Sequence, residues 1–152
     1  MEQPFGHWDV SRVGEFEPAD WFGFVYVITD RQTSKSYIGK KQFQHKRQKT
    51  LKNKSRTKES DWRTYTSSCE PLNEAIAERG KSDFDFRIIQ MCSGKCELSY
   101  TEQKHQFHYD VLRARLPNGE HMFYNRTIAH FNYAGLEKQT LLSESKRLTT
   151  GL

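Results

Sequence analysis

Two short runs rich in aromatic and β-branched residues, Gly23-Phe24-Val25-Tyr26-Val27-Ile28-Thr29 and Ser36-Tyr37-Ile38-Gly39, flank a polar, turn-forming segment. Runs of this composition are strands, and Thr29 to Ser36 has the composition of a hairpin loop. A hairpin of this kind brings the phenols of Tyr26 and Tyr37 toward one place. No other feature of the chain restricts its fold as much.

The remaining segments supply partners for that hairpin. Strands are predicted from about Phe22 to Ile28 and from Ser36 to Ile38. Lys40 to about Lys49 reads as a helix, and Leu51 to Ser60, which has no apolar period, as a mobile basic loop. Ser67-Ser68 before Glu70-Pro71 marks a helix start with Ser68 as cap; Leu72, Ala75 and Ile76 form its buried stripe and Gly80 its end. Phe84, Phe86, Ile88 and Met91, with Ile89 beside them, read as a third strand, central and covered on both faces. Glu97 to Leu112 lacks Gly and Pro and reads as a long helix, Phe123-Tyr124-Asn125 as a short extended piece, and Leu136 to Leu148 as a polar helix. The fold class expected is α+β, a small three-stranded antiparallel sheet flanked by helices. At 152 residues one domain is expected, over 21–130, with an acidic and aromatic arm at 1–20 and a helical tail at 131–152. The arm is either packed on the domain by Phe5, Trp8 and Phe16 or an acidic lid over a basic groove.

Charge is unevenly placed. Between Lys40 and Arg63 stand ten of the 24 Lys and Arg but only two of the 19 acids, so this segment alone makes the protein basic. Clustered cations suit a polyanion, because neutralising phosphates releases counterions without any sequence-specific contact. Lys40, Lys41, Lys46, Lys49, Lys52, Lys54, Arg56, Lys58 and Arg63 are the candidate nucleic-acid contacts, and DNA, in duplex form, is the expected partner. The competing reading is a solvated loop that keeps the protein in solution. Three cysteines do not make a disulfide framework, and Cys92 and Cys96 lack the companions of a zinc site. No apolar run is long enough to span a bilayer, so no membrane association and an intracellular setting are expected.

The order Tyr26, Tyr37, Arg47, Glu102, Asn125 resembles the GIY-YIG nuclease family, in particular its small homing-type or phage-encoded members, over roughly residues 22 to 127. The resemblance implies a metal-dependent DNA endonuclease. Tyr26 or Tyr37 takes a proton from water, Arg47 holds the scissile phosphate, Glu102 carries Mg2+ or Mn2+, and Asn125 holds neighbouring groups. A phenol near its ordinary pKa of about 10 is a poor base at neutral pH, and Lys40 and Lys41 are the cations expected to lower it. The first motif reads Phe24-Val25-Tyr26 in place of Gly-Ile-Tyr. Leu51 stands where many members have His or Tyr, a role that passes here to His45 or Tyr65. A single site cuts one strand, so a double-strand break calls for a homodimer, sequential nicking or reorientation. The alternative function is a DNA-binding module that keeps the fold without the chemistry.

Overall fold

A three-stranded antiparallel sheet carries the molecule, its first strand in the chain lying between the other two. The structure, a computed structural model, describes residues 3–46 and 57–136. β1 (Gly23–Asp30) and β2 (Ser36–Gln42) form the hairpin, in a register that sets Tyr26 opposite Gly39 and Ile28 opposite Tyr37. Asp30 closes the turn, its Oδ1 accepting from the Gln32 and Thr33 amides at 2.9 and 3.2 Å.

The third predicted strand, β5 (Phe84–Cys92), is not central; it lies outside β1. Its alternation breaks because the register shifts. Tyr26 pairs with Ile88 and Val25 with Gln90, which leaves Ile89 as the extra residue of a bulge. Phe84, Phe86 and Ile88 thus pack on one face of the sheet, Ile89 and Cys92 on the other. The N-terminal arm covers the outer edge of β5. There the Asp9 amide donates to the Phe86 carbonyl at 2.7 Å, and the Ile88 amide donates to the Asp9 carbonyl at 3.1 Å. The arm also packs by its rings: Trp8 is buried, its Nε1 donates to the Trp62 carbonyl at 2.6 Å, and Phe5 and Phe16 pack on the same cluster.

Residues 40–46 are not helical, contrary to the expectation from their lysines. β2 continues through Gln42, and β3 (Gln44–Lys46) pairs with β4 (Thr57–Glu59). β1 offers backbone partners as far as Gln42, and Phe43 beyond it is fully buried. Ladder hydrogen bonds and a ring worth roughly 1.5–3 kcal/mol of burial outweigh helix preferences of a few tenths per residue. Residues 47–56, most of the predicted basic loop, lie outside the described residues, as does the predicted C-terminal helix beyond Leu136.

Two helices cover the sheet. α1 (Glu70–Arg79) lays Leu72 and Ile76 against Phe24, Tyr26 and Ile28, and Gly80, at φ 89°, ends it. α2 (Lys95–His108) packs Leu98 with Val25 and Ile38 on the other face. It stops before the predicted Leu112, because Asp110 takes φ 50° and turns Val111 and Leu112 into the core. A small hairpin, β6 (Thr127–Ile128) with β7 (Phe131–Asn132), follows. Among the described residues no helix is long and apolar enough to cross a membrane.

Candidate active site

The site is assembled at the outer edge of β2. Tyr26 faces Gly39 across the hairpin, and a Cβ at residue 39 would stand 2.5 Å from the Tyr26 phenol oxygen and 2.8 Å from Tyr37 Cε1. Glycine lets the Tyr26 ring lie across the edge strand. The ring centroids of Tyr26 and Tyr37 are 6.2 Å apart, and Tyr65 meets Tyr26 edge-on at 6.2 Å. The polar side chain of Ser68 is a neighbour of both the Tyr65 and the Tyr37 phenols. Ser68 is not the helix cap. Cys69 takes that position, one residue later, its amide donating to Ser67 Oγ at 3.1 Å.

Glu102 reaches the same edge from α2. Its side chain is 17% exposed, with Lys40 Nζ 3.7 Å from Oε1; the same ammonium donates to Ser99 Oγ at 2.9 Å. Tyr37 and Glu102 open onto one pocket of about 440 Å³, lined also by Ser68, Gln106, Asn125 and Arg126. Tyr26, 1% exposed, sits behind that opening. Asn125 is buried and bonds the backbone of Ile38 twice, its Oδ1 accepting from the amide at 3.0 Å and its Nδ2 donating to the carbonyl at 2.8 Å. Gln106 Nε2 donates to the same carbonyl at 3.1 Å. With the Ser36 amide donating to Met122 and the Tyr124 amide to Ser36, residues 122–125 clamp the strand that presents Tyr37.

The electrostatics differ from those expected of the lysines. Burial, with Cys69, Glu102 and Tyr65 adding to it and Ser68 opposing it, leaves the Tyr37 phenol pushed up to about 12. Burial, with Tyr37, Tyr65 and Glu102 nearby, raises Tyr26 well above its ordinary value. Neither lysine lowers them, because each already has an anion: Lys40 pairs with Glu102, and Lys41, 12% exposed, pairs with Asp61 at 2.7 Å while lying 3.8 Å over the Tyr65 ring. Burial also raises Glu102, with Lys40 opposing it.

The other candidates are dispersed. His45 is exposed on β3, near enough to Asp61 to help lower that carboxyl after Lys41 has done most. Arg63 lies over Trp62, donates to the Pro4 carbonyl and pairs with Glu59. Lys58 is exposed on β4, and Lys46 closes β3. Arg47, Lys49, Lys52, Lys54 and Arg56 lie outside the described residues. His105 bonds Gln90 at 2.8 Å. Among the described residues no three His, Cys, Asp or Glu gather to hold a metal. Glu102 is a hard oxygen donor opening onto a polar pocket, which suits an ion that keeps most of its waters, such as magnesium, and does not suit zinc.

Sheet, flanking helices and pocket define a small α+β protein with a nuclease-type fold. Residues 8–128, most of the chain, match the family described as "Putative endonuclease segE, GIY-YIG domain", and the chain belongs to the GIY-YIG endonuclease family. No curated protein and no solved structure matches it significantly.

Proposed function

We propose that the chain is a metal-dependent DNA endonuclease that hydrolyses phosphodiester bonds at the pocket shared by Tyr37 and Glu102. The observation that carries this reading is the opening of one phenol and one carboxylate onto the same cavity. Tyr37 takes the proton from the attacking water, since it faces the cavity while Tyr26 is enclosed. The Tyr26 ring, 6.2 Å from that of Tyr37 and met edge-on by Tyr65, packs the Tyr37 phenol in place. Glu102 would hold Mg2+ or Mn2+, which when bound supplies positive charge to the leaving oxygen and the transition state. Asn125 positions Tyr37 through the Ile38 backbone. Arg47 would grip the scissile phosphate with its planar fork. Lys46, Lys49, Lys52, Lys54, Arg56 and Lys58 would follow the DNA backbone.

A nicking assay on supercoiled plasmid with Mg2+ or Mn2+ tests the reading. Cleavage that Glu102→Ala abolishes, with DNA retention in a gel shift unchanged, is the expected result. A wild-type protein that leaves supercoiled, relaxed, branched and single-stranded DNA uncut removes the enzyme reading. The second reading, a DNA-binding module without turnover, draws on the Lys40 ammonium already seated at Glu102. Salt-sensitive binding with no metal-dependent turnover would favour it. End mapping would separate single-strand nicking from the paired cuts of a homodimer.

A further inference from the structure

A second cavity, of about 360 Å³, lies on the α2 face of the sheet where that helix has ended. Its floor is apolar: Val27, Ile38, Ile89 and Phe123. Thr29 and Ser36 stand at one side with their hydroxyl oxygens 3.0 Å apart across the hairpin. Two hydroxyls sharing one bond retain one unspent donor and several acceptor positions. Over the rim stands Tyr109, 42% exposed, its ring parallel to His105 and edge-on to His108.

Charge on this rim is positive. Arg12 and Arg87 line the cavity, Arg87 also standing 3.9 Å from the exposed Asp9 carboxylate, and the cavity's one carboxylate, Asp85, is paired with Arg31 at 3.2 Å. Burial, then the charge of Arg12 and that of Lys104, lower the pKa of His105, whose ring lies parallel to that of Tyr109. An apolar floor, an exposed ring and an unspent hydroxyl donor beneath a cationic rim match a flat heteroaromatic base joined to a phosphate. Base stacking on such a ring tolerates any base, and arginine forks suit phosphate oxygens. Tyr26, Tyr37 and Glu102 do not line this cavity, which shares with them only the strand β2, through Ser36 and Ile38.

We propose that this cavity binds one unpaired nucleotide of the DNA, with the base between Tyr109 and the sheet and the phosphate at Arg12 and Arg87. The proposal rests on DNA being the substrate. It gives the catalytic fold a second grip on the strand, away from the edge of β2.

Nitrogen-resolved NMR titration of the full chain in EDTA, with thymidine 5′-monophosphate, thymidine and inorganic phosphate as separate probes, tests it without cleavage. The monophosphate is expected to shift the amides of Thr29, Ile89 and Tyr109 and to bind more tightly than either fragment. Tyr109→Ala and Arg12→Gln, both exposed, should each weaken it about tenfold, the size of one lost stacking or charge contact. Shifts confined to the Glu102 pocket, equal binding by both variants, or equal binding of an acidic aromatic peptide would overturn the proposal. A wild-type protein that cuts no DNA while the titration succeeds would instead count against the nuclease reading alone.

Discussion

The Tyr26 phenol lies across the backbone of Gly39, so close that a methyl group at residue 39 would stand 2.5 Å from its oxygen and 2.6 Å from Cζ. Gly39→Ala must therefore push Tyr26 out of a fully packed core. A loss of about 1–3 kcal/mol is expected, the range for overpacking. Urea denaturation reads the stability and a nicking assay the activity, and both should fall. Wild-type values in both would mean that the ring has other room.

Tyr37 and Tyr26 differ in access to the pocket, and conservative substitution separates their roles. Tyr37→Phe is expected to slow cleavage by about 10²–10⁴-fold, the usual contribution of a general base. Tyr26→Phe keeps the enclosed ring and its packing on Tyr37 and should cost only about tenfold. Equal losses, or a larger loss at Tyr26, would reverse the assignment.

A phenol pushed up to about 12 is protonated at neutral pH, so the share of active phenolate grows with pH. The cleavage rate should rise about tenfold per unit between pH 7 and 9, and this slope should vanish in Tyr37→Phe. Single-turnover rates at fixed metal concentration provide the check. A wild-type profile flat across that range would exclude Tyr37 as the base.

His7 makes acid stability measurable apart from catalysis. It stacks on Phe86 at 4.0 Å, and burial, then the charge of Lys81, lower its pKa from 6.5 to about 4 against an opposing backbone contact at Tyr65. The unfolded chain therefore takes up a proton below pH 6.5 that the folded chain refuses. Stability contributed by neutral His7 is complete above about pH 6.5 and is lost as pH falls toward about 4. After discounting for partial exposure, the loss is on the order of 1–2 kcal/mol. Thermal midpoints between pH 7 and 4.5 should fall less in His7→Phe than in the wild type.

Asp30 ties the hairpin turn to the clamp on β2. Its fully buried carboxylate pairs with Arg79 and accepts from the Tyr124 hydroxyl at 3.2 Å. Burial alone would raise it, but hydrogen bonds from Arg79 and from the Thr33 and Gln32 amides hold its pKa at about 2. The pairing persists at mild acidity and is lost only as pH falls from about 3.8 through about 2. Asp30→Asn leaves Arg79 without its anion and is expected to cost about 3 kcal/mol, as breaking a buried pair does. Chemical denaturation at pH 7 measures it, and a change under half that size would show that the pair is dispensable.

The hairpin was legible because a period of two is local, and Tyr26 and Tyr37 needed only a turn between them. Ile89 was not, since a bulge exists only relative to the strand opposite. Lys40 and Lys41 misled for the same reason: their strand depends on the distant pairing with Val25 and Phe24. Ser68 satisfied a local capping rule, yet the helix begins one residue later, at Glu70 after Cys69. The field at the phenols was beyond reach of composition. Along β2, Lys40 lies on the opposite face from Tyr37 and Lys41 on the same face, yet each turns to a carboxylate, Glu102 and Asp61, that sequence alone does not place there.

Lys40 occupies the carboxylate that a metal would use. Its ammonium stands 3.7 Å from Glu102 Oε1 and is anchored by Ser99, so an incoming divalent cation must displace it or share the oxygen. Removing the ammonium leaves Glu102 more exposed to water and without a competing charge, which favours the ion. Lys40→Met should therefore bind Mn2+ several-fold more tightly than the wild type, while Glu102→Gln should bind it more weakly. Water-proton relaxation of Mn2+ in the absence of DNA reads this directly, independent of turnover. Unchanged affinity in Lys40→Met, alongside loss in Glu102→Gln, would mean that the metal and the ammonium use different oxygens of the same carboxylate.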